Sequence, residues 1–198
     1  MEMTDVMCDI ETTGTRPDHH AIVQIAAVKF NYQTGAIGDT FNRSLHMPFG
    51  RSWSEDTREW WSRQDQSVWQ QIVQRMEDPA EVIKDFYSWS VIDAPRGGFR
   101  FWSKPLSFDF PFVSSYMNQF AAGMPYHYRH ARDLNTWVAA LRGLGPSHVD
   151  MEHIDFTGKA HNALVDCVHQ IKILFAARDG NWGLDDGVVD AEFSEIVN

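Results

Sequence analysis

The sequence predicts a mixed-sheet α/β fold: an antiparallel meander of three strands, then helices and strands in alternation. Three observations carry this. Strand-length apolar runs fill the first 45 residues and are broken by the turn signal "TGAIGD". Helix-start signals recur over residues 54–94. The segment "GKAHNALVDCVHQIKILFAARDG" spaces Ala163, Leu164, Cys167, Val168, Ile171, Leu174 and Phe175 at i, i+3, i+4, i+7, which is one face of a helix.

In chain order, "TDVMCDIET" reads as the first strand, "AIVQIAAVKFNY" as a long second and "TFNRSLHM" as the third. "SEDTREWW" opens with a Ser cap and first-turn acids; "DPAEVIKDFYSWS" opens with Asp before Pro. "GGFRFWS" is a short strand, and "FDFPFVSSYMNQFAAG" an amphipathic helix closed by Gly123. "YHYRHARDL" is a strand candidate and "NTWVAALRGLG" a helix. The 198 residues fit one domain with a proper core, over residues 1–180, followed by an acidic tail over 181–198.

Composition narrows the function. An apolar fraction of 43% excludes a disordered chain, and no apolar run approaches the ~20 residues of a membrane span, so no membrane partner is expected. "MEMTD" lacks a signal-peptide pattern, and Cys8 and Cys167 form no disulfide framework. Both suit a reducing cytoplasm. The formal charge of −10 excludes a broad basic nucleic-acid surface. Five acids of that charge sit in the tail and four more at candidate metal positions, so the remaining body is near neutral and leaves room for a small footprint.

The first strand carries two acids, Asp9 and Glu11, in "DVMCDIETTG". Period two puts both on one face. Either they turn out to solvent at a strand end, or a divalent cation sits between them, since hard cations take carboxylate oxygens. Asp109, in "KPLSFDFPF", stands at the mouth of a helix, where Asp is a favoured N-cap and Pro111 fits the first turn. Capping and metal binding are compatible there. Asp166, between Val165 and Cys167, is an unfavourable mid-helix choice unless it has a partner. His161 lies five residues earlier, about 7.5 Å along a helix axis, and its place at the helix start suits proton transfer.

"DIETTG", "SFDFP" and "HNALVD", in this order and spacing, resemble the three motifs of the DEDDh 3′–5′ exonuclease family. The resemblance implies a ribonuclease-H-like fold and hydrolysis of single-stranded nucleic acid from a free 3′ end to nucleoside monophosphates, with RNA favoured and single-stranded DNA as the second substrate. It also implies two Mg²⁺ ions, replaceable by Mn²⁺, with Asp9 bridging both. Glu11 and Asp166 complete the ion that holds the attacking water, Asp109 holds the second, and His161 is the general base. Thr12 and Thr13, just after the Glu, would bind the terminal nucleotide. "TREWWSRQ" followed by "SFDFP" resembles the branch with phage exonuclease A and a mycobacterial exoribonuclease. One departure is "KPLS", where many members carry Asn shortly before the second-motif Asp. Relatives imply a homodimer, with "WWSRQ" as a contact, in a bacterial or phage-infected cytoplasm.

Other features read more plainly. Trp53, Trp60, Trp61 and Trp69 read as core or interface anchors ahead of base-stacking platforms. Arg58 and Arg63 read as solvated, His19–His20 as no metal site, and Lys159 as either solvated or a phosphate contact. The competing function is a catalytically silent nucleic-acid- or protein-binding module on the same fold.

Overall fold

The computed structural model describes residues 2–121, 123–143 and 154–181. The expected acidic tail, 181–198, lies outside the described residues but for Asn181. Strands β1 (Asp5–Thr12), β2 (Ile22–Phe30) and β3 (Ile37–Leu45) form the expected antiparallel meander. Helices α1 (Glu55–Ser62), α2 (Gln66–Gln74) and α3 (Pro79–Val91) follow, with the two-residue strand β4 (Met76–Glu77) before α3. Then come β5 (Arg100–Ser103), α4 (Leu106–Phe120), β6 (Ala131–Asp133), α5 (Leu134–Leu141) and α6 (Ala163–Arg178). The six strands are ordered β4-β3-β2-β1-β5-β6, with β5 and β6 parallel to β1. This mixed sheet flanked by helices has the ribonuclease-H-like topology.

Alternation along β1 divides the core. Met7 faces a cluster built with α5 and α6, including Ala26, Val28, Val168 and Ile171. Val6, Cys8 and Ile10 face α3 and α4, meeting Phe86, Phe112 and Tyr116. Each large apolar side chain so buried contributes about 1.5–3 kcal/mol. Trp61, Val23, Val68 and Ile72 form a third, small cluster between α1, α2 and the sheet, against which Trp53, Trp60 and Trp69 pack half-buried.

Two helix starts differ from the sequence reading. α4 begins at Leu106 with Pro105 at the cap position, so Asp109 is a buried first-turn residue and not the N-cap, and Pro111 lies inside the helix. A distant group explains the early start: the Asp133 carboxylate accepts the Leu106 N–H at 2.9 Å. α6 begins at Ala163, capped by Asn162, whose side chain accepts from the Leu164 and Val165 N–H groups. His161 therefore stands ahead of the helix, in a left-handed conformation with φ 64°. The segment expected as a strand over "YHYRHARDL" is a 3-10 turn at Tyr128–His130 leading into the short β6.

Candidate active site

β1 outruns its neighbour. Its pairing with β5 ends at Met7↔Trp102, and its last residues continue to Thr12 along β2 alone. The opening beside them is where ligands sit in sheets with parallel strands, outside the carboxyl ends. The first turn of α4 brings Asp109 there, and α6 brings Asp166. Asp9, Glu11, Asp109, His161 and Asp166 all line one cavity of about 300 Å³, joined by Lys104, Phe108, His169 and Gln170.

The acids there are short of partners. Asp109 is 2% exposed and its Oδ2 has no hydrogen-bond partner. Burial pushes its pKa up to about 7. Burial likewise pushes Asp166 up to about 6, against the His161 backbone N–H and Lys104, which act downward. Asp9 is raised well above the usual carboxylate range by burial, then by Asp109, Asp166 and Glu11, and only the Gln170 amide, donating to Asp9 at 2.7 Å, opposes this. Glu11 is raised by burial, then by Asp166 and Asp109.

Asp5, on the same face of the same strand, is the contrast. It is fully buried too, yet it accepts from Arg100 Nε and Nη2 at 2.6 Å and from the Trp102 indole at 2.7 Å. The Tyr32 N–H reaches it at 3.2 Å. Where an acid serves the fold, it is compensated by a cation and fixed donors, as buried charge requires. The four acids at the open edge are compensated only in part, by Lys104 near Asp166, the Ser103 hydroxyl and Ile10 N–H at Asp109 and the Gln170 amide at Asp9, and a divalent cation is what such an oxygen-rich set fits. Glu11, His161 and Asp166 offer ligand atoms all within 4.8 Å of one another, so three of the expected residues already form a metal-sized cluster.

His161 is held from the side. Its ring meets Trp60 edge-on, centroids 4.6 Å apart at 78°, and Trp61 at 6.4 Å. Burial lowers its pKa, which favours the neutral, proton-accepting form. Two residues earlier, the exposed Lys159 pairs with Asp65 at 2.8 Å. The Trp-rich segment is mostly core, as expected, but Trp60 also braces the histidine. Arg58 and Arg63 make exposed pairs with Glu55 and Glu59, worth little to stability. His20 Nδ1 accepts the Arg16 N–H.

Thr12 and Thr13 part company. Thr12 lines a second cavity of about 430 Å³ that shares Ile10, Glu11 and Phe108 with the first and is walled by Asp56, Thr57 and Trp60. Thr13 is fully buried; its hydroxyl donates to the Ser52 carbonyl and accepts the Ala21 N–H, both at 2.7 Å. The structure does not bring it to either cavity. Gly14 completes the turn because a Cβ there would meet the His20 ring at 2.2 Å. Sequence reasoning missed Gln170, one helical turn beyond Asp166, and Lys104, which begins the "KPLS" noted only as a departure from the second motif.

Residues 4–177 match the family model described as the 3′-5′ exoribonuclease Rv2179c-like domain. The chain belongs to that family. The match spans all three motifs, and it makes the chain a member of the wider DEDDh, ribonuclease-H-like exonuclease superfamily. No curated protein sequence matches it. Among solved structures, cell-death related nuclease 4 is similar at TM-score 0.67 and 17% identity, covering 91% of this chain and 66% of its own. The zinc-bound E. coli exonuclease I–ssDNA complex is similar at TM-score 0.65 and 17% identity, covering 92% of this chain and 42% of its own. These likenesses share the fold, and the chain spans under two thirds of either protein. Nuclease chemistry as a class is what the membership supports. Among the described residues, no helix is long and apolar enough to cross a membrane.

The raised acids set a pH signature. Between about pH 4 and 7, folded metal-free protein keeps protons on Asp109 and Asp166 that the unfolded chain has lost. The native state binds more protons, so this contribution to stability falls as pH rises through that window. Melting temperatures in chelator should therefore decline less steeply with pH, or rise more steeply, in Asp109→Asn than in the parent. An identical slope in both would mean that Asp109 titrates normally.

Proposed function

We propose that this chain is a metal-dependent 3′–5′ exonuclease that hydrolyses single-stranded nucleic acid, RNA in preference to DNA, to nucleoside monophosphates. The observation that supports it best is the convergence of four under-compensated carboxylates and one histidine, from three distant segments, on a single cavity. The exonuclease unit is taken as residues 1–180, acting in a bacterial or phage-infected cytoplasm, as a homodimer, in the branch of phage exonuclease A and the mycobacterial exoribonuclease. A silent binding module would gain nothing from burying mutually repelling acids.

Asp9 would hold two Mg²⁺ ions jointly, Glu11 and Asp166 the one nearer the attacking water, and Asp109 the other. Bound there, the ions supply Lewis-acid polarisation and a more acidic water. His161, kept neutral by burial and fixed by Trp60, takes the water's proton. Gln170 orients the Asp9 carboxylate through its 2.7 Å hydrogen bond. The adjoining cavity takes the terminal nucleoside. Its walls offer Trp60 and Phe108 to the base; the Thr12 hydroxyl, which donates to the Gly14 carbonyl at 2.7 Å, can accept from the sugar, and among the described residues no Lys or Arg lines it. With Glu11 and Asp56 as its charged groups, it favours a hydroxyl end over a phosphorylated one.

Matched RNA and DNA oligonucleotides, with free and 3′-phosphorylated ends, test this at equal Mg²⁺. Monophosphates should appear from the free 3′ end, faster from RNA, and the 3′-phosphate should block release. Faster cleavage of DNA would reverse the substrate preference. Cuts inside a circular single strand would overturn the exonuclease reading.

A further inference from the structure

Three cavities lie in succession along the sheet edge made by the carboxyl ends of β1, β5 and β6. The terminal-nucleoside cavity and the acid cavity share Ile10, Glu11 and Phe108. The third begins at the next residue after Lys104: Pro105, Leu106, Phe110 and Pro111 of α4 face Asn135 and Thr136 of α5 across a groove of about 590 Å³. We propose that this groove binds the bases of the nucleotides immediately upstream of the scissile phosphate. The proposal rests on the exonuclease reading and gives the strand a direction across the site.

The groove's chemistry suits bases and not phosphates. Among the described residues no Lys or Arg lines it, and Asp133 is its one charged residue. Phe110 is half-buried and braced edge-on by Phe101, centroids 5.3 Å apart, so it presents a fixed ring for stacking. The Asn135 amide can both donate and accept at a base edge, and the Thr136 hydroxyl, which donates to the Asp133 carboxylate, can still accept there. The Asp133–Leu106 bond at 2.9 Å ties the two walls together, so the groove needs no ordering on binding. Lys104 sits on the rim, lining the acid cavity while its neighbour Pro105 lines the groove, and supplies a cation where the strand crosses from one to the other.

The opposite side differs in chemistry. A polar cavity lined by residues such as Gln24, Asn42, Arg43 and Arg75 lies beyond Asn162. The loop in front of it is clamped to α1 and α2, by Lys159 on Asp65 at 2.8 Å and by His161 against Trp60.

The test uses the intact protein with Ca²⁺ in place of Mg²⁺ and a single-stranded hexanucleotide carrying 5-iodouridine second or third from its 3′ end. Photo-crosslinks should map to Pro105, Leu106, Phe110, Pro111, Asn135 or Thr136, and not to Phe108 or Asp109 of the neighbouring cavities. Crosslinks in 42–75, on the polar cavity, or anywhere else overturn the groove. In binding, Phe110→Ala should raise the hexanucleotide Kd roughly 5- to 100-fold more than the nucleoside monophosphate Kd, and Phe110→Trp should restore it. Thr136→Glu, at an exposed position, should weaken hexanucleotide binding without risk to the core. Equal losses for both ligands would overturn the proposal. Cleavage of oligonucleotides with crosslinks elsewhere leaves the exonuclease reading standing; no cleavage by the parent protein overturns both.

Discussion

Asp9→Asn should abolish turnover while leaving the metal-free fold as stable as before, or more stable. Asp9 lies among three other acids that push its pKa up, and its one opposing contact is the Gln170 amide, which an Asn carbonyl can still accept. Removing the charge relieves repulsion and takes away the central metal ligand. Melting in chelator and in Mg²⁺ separates the effects: the parent should gain stability from the ion by mass action, and the variant should gain little. Asp5→Asn is the control on the same strand face. There the Arg100 guanidinium loses its buried partner, and breaking such a pair costs about 3–5 kcal/mol. A comparable loss in Asp9→Asn would show that Asp9, too, is a structural acid, and would remove the basis for the metal site.

His161→Ala should lower turnover by roughly 10²–10⁴, the range for losing a general base. Its ring is kept neutral by burial and held by Trp60, so it can accept a proton at neutral pH. Its ligand atom also lies within 4.8 Å of those of Glu11 and Asp166. Calorimetric titration with Mn²⁺ therefore decides its role. Unchanged affinity with slow turnover fits a base; a matching loss of affinity makes His161 a ligand and hands proton transfer to another group.

What could be read from sequence followed from local rules. Period two placed Asp9 and Glu11 on one face of β1, and the 3.6-residue period of α6 made Asp166 stand out as a misfit. The three-strand meander was legible because its strands are eight or nine residues long. β4 and β6, at two and three residues, are too short to carry a pattern. The start of α4 was misplaced because Pro111 resembles a first-turn proline, while the group that begins the helix, Asp133, is remote in sequence. His161 was expected on the helix, but Asn162 caps α6 and leaves His161 in a left-handed turn. Trp60 read as an anchor because sequence gives no sign of what lies across from an aromatic ring. Thr13 looked equivalent to Thr12, yet it lies past the end of β1, where its hydroxyl is taken up by the Ser52 carbonyl and the Ala21 N–H.

The brace on His161 ties two kinds of competence to different parts of the molecule. The four carboxylates belong to the sheet and to α4 and α6, which share the two large cores. The histidine leans on α1, which shares with α2 a small buried core of Val23, Trp61, Val68 and Ile72. Local opening is cheapest where buried apolar contacts are fewest. On the proposed reading, loosening that helical pair would leave the carboxylates in place for cations while releasing both the histidine and the α1 wall of the terminal-nucleoside cavity, so the small tryptophan cluster would govern strand-end binding and turnover but not metal binding.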